Sequence, residues 1–194
     1  MRIPRDWRCI RVQAGFTMTE LLVTMGIAAM LMAIGVPSYR YVTYSNRATT
    51  EINSLLGDMQ YARSEAVKEG QAVTMCPANA SYNTCVATTS WQGGWIIFQD
   101  VNNNQTIANS ANILRVRQAF SSSTQDTLVS DNTMQFVTFN REGFATAFPA
   151  TTTGYVTFTL HTTPTSPQWT RCMQVFSTGL MNTERTTDAQ GNCS

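Results

Sequence analysis

Hydrophobic residues are distributed in three successive patterns along the 194-residue chain. From Phe16 to Val36 they are nearly continuous and hold one charge, Glu20. At about 1.5 Å per helical residue, such a run matches the roughly 30 Å hydrocarbon core of a bilayer. It predicts a membrane-spanning helix over residues 16–37, in which Pro37 removes a backbone hydrogen bond and can introduce a kink. Beyond Pro37 the apolar residues thin to three- and four-residue steps: Tyr41, Ile52, Leu55, Leu56, Met59, Ala62, Ala66 and Val67. That spacing continues the helix to about Glu69, with Gly70 as its stop. Glu51, Asp58, Arg63, Glu65 and Lys68 fall mostly off the stripe, so this half is expected to pack on one face and to be wetted on the other.

From Ala72 the pattern changes to short strand-like runs between turn residues. The predicted strands are Ala72–Cys76, Trp95–Gln99, Ile113–Ala119, Thr133–Phe139, Phe144–Phe148, Tyr155–Leu160, Arg171–Phe176 and Leu180–Thr183. In Tyr155–Leu160, Val156, Phe158 and Leu160 share one face. Ser121–Asp131, Pro149–Gly154 and Thr162–Pro167 read as loops, rich in Ser, Thr and Pro. One long helix followed by a series of strands is an α+β arrangement, with the helix laid on antiparallel β-sheet. Residues 38–194, including the amphipathic part of the helix, are long enough for one domain with a single core.

Charge orients the chain. Arg2, Arg5, Arg8 and Arg11 precede the apolar run with only Asp6 opposing them, an excess expected to keep the N-terminus cytoplasmic, so that the remaining chain faces the periplasm or beyond. A secretory signal would have a shorter apolar core, roughly 7–15 residues, with its small-residue cleavage site after it. Here the small residue, Gly15, comes first. Without residues 1–15, which hold four of the 13 basic and one of the 12 acidic side chains, nine basic and eleven acidic remain. The domain is therefore polar but sparsely charged.

Of the five cysteines, Cys9 lies ahead of Gly15, leaving Cys76, Cys85, Cys172 and Cys193. An even number in an exported domain reads as disulfides, and three connectivities are possible. Cys76 with Cys85 and Cys172 with Cys193 is preferred, because each closes a short local loop. A zinc site is the rival reading, but there is no Cys-x-x-Cys pair and the single histidine is His161. Asp100, Asn102, Asn104 and Thr106 alternate oxygen side chains as calcium loops do. The segment lacks the glycine and distal glutamate of an EF-hand, so an Asx-rich turn is the preferred reading. Trp95, Phe98, Phe136, Phe139 and Phe158 read as core, and His161 as exposed or hydrogen-bonded. No nucleophile and base are placed to form a hydrolytic site, so no enzyme and no cofactor are expected.

The pattern Gly15-Phe16-Thr17-Met18-Thr19-Glu20 ahead of the apolar run resembles the class III signal of type IV pilins and pseudopilins. The blocks Asp58-Met-Gln-Tyr-Ala-Arg-Ser-Glu-Ala-Val67, Val73-Thr-Met-Cys-Pro77, Gly94-Trp-Ile-Ile-Phe-Gln-Asp-Val-Asn102 and Phe176-Ser-Thr-Gly179 resemble the GspH and FimT/FimU group, in that order. The resemblance implies a leader of residues 1–15, cleavage by prepilin peptidase between Gly15 and Phe16, N-methylation of Phe16, and a role for Glu20 in subunit assembly. It also implies partnership with other pilins or pseudopilins in a type IV pilus or a type II secretion pseudopilus. Some FimT-like pilins bind DNA through a Gly-Arg-x-Arg motif. The matching place reads Gly179-Leu180-Met181-Asn182, without either arginine, and Arg171 and Arg185 flank it without forming a run. DNA is therefore not an expected partner.

Overall fold

The computed structural model describes residues 15–131, 134–146, 154–185 and 193. Residues to Arg40 form one unit and Tyr41–Ser194 a second. Helix α1 spans Met18–Glu69 and carries Pro37 in its interior. Proline has no N–H, so the carbonyl of Ala33 loses its usual partner while the helix continues. Gly70 follows with φ of +67°, the left-handed conformation that ends a helix at little steric cost.

In the second unit eight strands follow the helix: β1 (Val73–Pro77), β2 (Gly94–Gln99), β3 (Ile113–Gln118), β4 (Asp126–Ser130), β5 (Val137–Phe139), β6 (Tyr155–Thr162), β7 (Arg171–Phe176) and β8 (Met181–Arg185). They make two antiparallel four-stranded sheets, ordered β3-β2-β1-β5 and β4-β6-β7-β8. The main core joins Ala48, Ile52, Leu55, Met59, Ala62 and Ala66 of α1 to Trp91, in the connection before β2, and to residues of both sheets, among them Trp95, Phe139 and Phe158. Alternation along β2 divides its side chains between two clusters. Trp95 and Ile97 enter the core beneath the helix, whereas Ile96 and Phe98 join Cys76 in a smaller cluster. Phe136 is half-buried against that smaller cluster.

Several expected features differ. Glu51 and Asp58, expected on the wetted face, are 8% and 1% exposed, while Val67 of the expected stripe is 54% exposed. The segment 121–131, expected to be a loop, contains β4. Its inward positions are Asp126, Leu128 and Ser130, so its alternation is carried by burial and not by hydrophobicity. Around 144–148 the structure has a single bridge, Ala145 to Phe139, in place of a strand, and residues 147 and 148 lie outside the described residues. Asn140 causes this: its side-chain oxygen accepts the N–H groups of Glu142 and Phe144, turning the chain and leaving Phe144 exposed.

Candidate functional site

In the unit that ends at Arg40, Gly15 and Phe16 precede the helix and Thr17 caps it. Its Oγ1 accepts the Glu20 N–H at 3.2 Å, and its carbonyl accepts from Leu21 at 3.2 Å. Glu20 thus stands in the first turn, where a carboxylate is favoured by the positive end of the helix dipole. Every residue from Gly15 to Arg40 is exposed, including Phe16, Leu22, Met30, Leu31 and Ile34. An apolar run of this length requires lipid or other apolar helices to cover it. Among the described residues, α1 is the one helix long and apolar enough to cross a membrane.

In the second unit, buried polar groups fix the face that α1 turns toward the sheets. Asp58 lies at the centre. Its oxygens accept from Trp95 Nε1 at 3.0 Å, Arg115 Nη1 at 2.8 Å, and Arg117 Nε and Nη2 at 2.9 and 3.2 Å. Arg115 also lies 3.9 Å from the centroid of the Tyr61 ring. Burial pushes the Asp58 carboxyl up, but the bonds from Arg117, Arg115 and Trp95 outweigh it and hold the group below the usual carboxylate range.

About three turns earlier on the helix, Arg47 Nη2 donates to Asp126 at 2.8 Å. Ser122 Oγ lies 2.9 Å from Glu51 Oε1 and is also bonded to Asp126 Oδ2. A serine hydroxyl has one proton, so it cannot donate to both carboxylates. A protonated Glu51 resolves the arrangement by donating to Ser122, which donates to Asp126. Burial and the neighbouring Asp126 accordingly push Glu51 up to about 7.

Further along, Arg63 Nε donates to the carbonyl of Gly143 at 2.9 Å. Gly179, with φ of +76°, closes over the same place, and a Cβ on it would overlap the Gly143 oxygen. This explains the glycine of the Gly179-to-Asn182 segment by backbone packing. Its neighbour Leu180 is exposed and apolar. Arg171 and Arg185 are opposed across β7 and β8, but Arg171 is buried. Its guanidinium donates to Ser45 Oγ, Thr49 Oγ1 and the carbonyls of Gln168 and Thr170. That arginine is committed to the helix and its own loop.

The other expected sites are local structure. Cys76 is joined to Cys85 and Cys172 to Cys193. The Asp100 carboxylate receives the N–H groups of Asn104 and Gln105 and the hydroxyl of Thr74, so donors face both oxygens where a cation would need bare acceptors. His161 is half-buried beside Thr170 Oγ1, and burial lowers its pKa. Among the described residues no three His, Cys, Asp or Glu side chains converge as a metal site would.

The family described as "Prokaryotic N-terminal methylation motif" matches residues 10–36, and "Type II transport protein GspH" matches residues 51–179, about two thirds of the chain. The chain belongs to the GspH/FimT/FimU group of type IV pilin-like proteins. The GspH match begins at Glu51, on the buried helix half, and ends at Gly179, beside the Arg63 tie. Two crystal structures of the type IV minor pilin FimU of Pseudomonas aeruginosa (strain PAO1) are similar to this GspH-family chain. One has 22% identity over 76% of this chain and 98% of that one, with a TM-score of 0.52. The other has 21% identity, covers 80% and 99%, and has a TM-score of 0.56. At these identities the likeness concerns the fold, a helix packed on antiparallel sheets. No curated protein sequence matches the GspH-family chain. Family and fold are those of structural pilin proteins processed at a methylated N-terminus and assembled with one another.

Proposed function

We propose that this chain is a minor pilin that helps initiate or cap a type IV pilus. The observation that carries the reading is the exposed, nearly continuous apolar run from Phe16 to Val36, preceded by Gly15 and lying within the matched methylation motif. In this reading residues 1–15 are a leader removed by prepilin peptidase, and the new terminus Phe16 is N-methylated. Residues 16–37 cross the bacterial inner membrane with the N-terminus cytoplasmic, and residues 38–194 form the periplasmic domain. Glu20 then neutralises the Phe16 amine of a neighbouring subunit as helices bundle, because a carboxylate near hydrocarbon needs a partner. The pilus is favoured because the solved structures sharing this fold are pilus subunits. A type II secretion pseudopilin is the second reading, supported by the GspH match over residues 51–179.

Mass spectrometry of membrane-extracted protein tests the processing. The expected terminus is Phe16, methylated; an intact Met1 or a terminus after Gly35 would refute the pilin reading. Deleting the gene is expected to abolish or sharply reduce piliation and twitching motility. Normal pili with blocked exoprotein release would move the chain to the secretion system. Loss of transformation alone would make it a DNA receptor.

A further inference from the structure

Within the Tyr41–Ser194 unit, and among the described residues, three buried side-chain atoms have no hydrogen-bond partner in the protein: Arg47 Nε, Glu51 Oε2 and Thr162 Oγ1. They belong to one cluster. Arg47 and Glu51 stand four residues apart on α1, so their side chains are neighbours. Arg47 is the ion-pair partner of Asp126, and Glu51 reaches the same carboxylate through Ser122. Thr162, the last residue of β6, is the register partner of Asp126, the first residue of β4. Asp126 and Thr162 are fully buried. All three atoms are thus carried by residues gathered about one carboxylate, where the helix meets β4 and β6. Native structures satisfy nearly all of their buried polar groups, and three bare atoms around one residue point to a partner that they share.

The chemistry of that partner follows from the atoms. Arg47 Nε–H can only donate. Glu51 Oε2 accepts, because in the protonated acid the proton lies on Oε1, the oxygen facing Ser122. A threonine hydroxyl does either. The ligand must therefore accept one bond and donate another. It must also carry no charge: a cation would face the bare N–H of a guanidinium, and an anion would face the Glu51 and Asp126 carboxyl groups. With Glu51 protonated, Arg47, Glu51 and Asp126 already sum to zero. Water meets each condition, and a buried water makes about three such bonds. The way in is short, since the Arg47 side chain is 24% exposed and its Nη1 donates at 3.3 Å to Gln125, an exposed residue.

We propose that Arg47 Nε, Glu51 Oε2 and Thr162 Oγ1 form a binding site for one structural water, which accepts from the arginine and donates to the glutamic acid. The water extends the chain of bonds from Asp126 through Ser122 and Glu51 to Thr162, so the helix is fastened to β6 as well as to β4. It also places an exchangeable proton carrier against the Glu51 carboxyl, giving that buried acid a path to solvent past Arg47.

Crystals of the detergent-solubilised full chain, at a resolution that shows ordered solvent, test the site directly. Expected is density for a single water oxygen within hydrogen-bond distance of all three atoms, with no anomalous signal there after a soak in rubidium chloride. A rubidium peak would make it a cation site, and direct bonds among the three side chains would leave no room for a ligand; either result overturns the inference. In solution the probe is Thr162→Val, which keeps the shape of the side chain and removes its hydroxyl. Loss of a hydroxyl bonded to water should lower the thermal midpoint by roughly 2–4 °C. A midpoint that is unchanged or raised would show that the hydroxyl has no partner to lose, and would overturn the site as well.

Discussion

Asp58 and Glu51 are both acids buried on the same helix, and their partners give them opposite charge states. Asp58 faces two guanidinium groups and an indole N–H, which stabilise the ionised form. Asp58→Ala leaves Trp95 Nε1 buried without its acceptor and releases two arginines to solvent. Because Arg115 and Arg117 are already 44% and 42% exposed, the expected cost is about 2–4 kcal/mol, toward the lower side for a broken buried pair. Chemical denaturation of the detergent-solubilised chain measures it. Glu51 faces another carboxylate through a serine, which favours its neutral form. Its folded pKa of about 7 exceeds the ordinary 4.5, so the folded state holds the proton more tightly. The contribution of Glu51 to stability is therefore fully present below about pH 4.5 and is lost as pH rises through about 7. Glu51→Gln mimics the protonated acid and should stabilise the fold at pH 8 by about 1–2 kcal/mol, after allowing for solvent screening at Arg47. The gain should vanish near pH 4.5 in paired thermal melts, and a pH-independent gain would show that Glu51 does not titrate in this way. Neither role could be read from the helix stripe, because the deciding partners lie between 37 and 75 residues further along the chain.

Among the elements, those whose inward positions are apolar could be read from their own residues. Strand β6 alternates Val156, Phe158 and Leu160 inward, and β2 is a continuous apolar run buried on both faces. Strand β4 has the same geometry but presents Asp126 and Ser130 inward. Asp126 is satisfied by Arg47, and Ser130 by donating to the Met134 carbonyl and accepting from the Trp91 indole N–H, contacts that only the folded chain provides. The bridges act at this scale too. Cys76 to Cys85 ties the end of β1 to the following loop, and Cys172 to Cys193 holds a residue of the C-terminal segment beside β7, with separations of 9 and 21 residues. Chain entropy assigns about 2–4 kcal/mol to closing loops of this size. Non-reducing peptide mapping should recover these two linkages, and replacing either pair with alanine should lower the denaturation midpoint accordingly. Crossed linkages or free thiols would contradict them.

For the whole molecule, stability and assembly draw on different stretches of one helix. Residues 48–66 supply the apolar contacts that hold the sheets, whereas residues 16–36 are exposed and available to lipid or other helices. Damage to one function should therefore spare the other. Glu20→Ala is expected to leave the thermal melt of the domain and cleavage at Gly15 unchanged, while reducing the chain several-fold in sheared fibre fractions. Wild-type incorporation would remove Glu20 from the assembly role proposed for it. The apolar run and the glycine before it made this division readable in the sequence. The approach of the Trp169 ring to within 5.3 Å of the Tyr44 ring centroid was hidden, because nothing in residues 163–170 indicates which turn of the helix they reach.

The Asp58 cluster also acts as a key in a shaft. Each helical residue advances the bearing of the next by about 100°, and two separate fastenings, Arg47 to Asp126 and Asp58 to Arg115 and Arg117, must engage the sheets together. A single residue inserted between Ala48 and Leu55 would rotate one fastening out of its slot whenever the other was seated. Seven residues, nearly two whole turns, would restore the bearing within about 20° but move the second fastening about 10 Å along the axis. The separation of these two acid-arginine pairs is therefore a ruler as well as a compass. It dictates which residues of the outer helix surface can face another subunit.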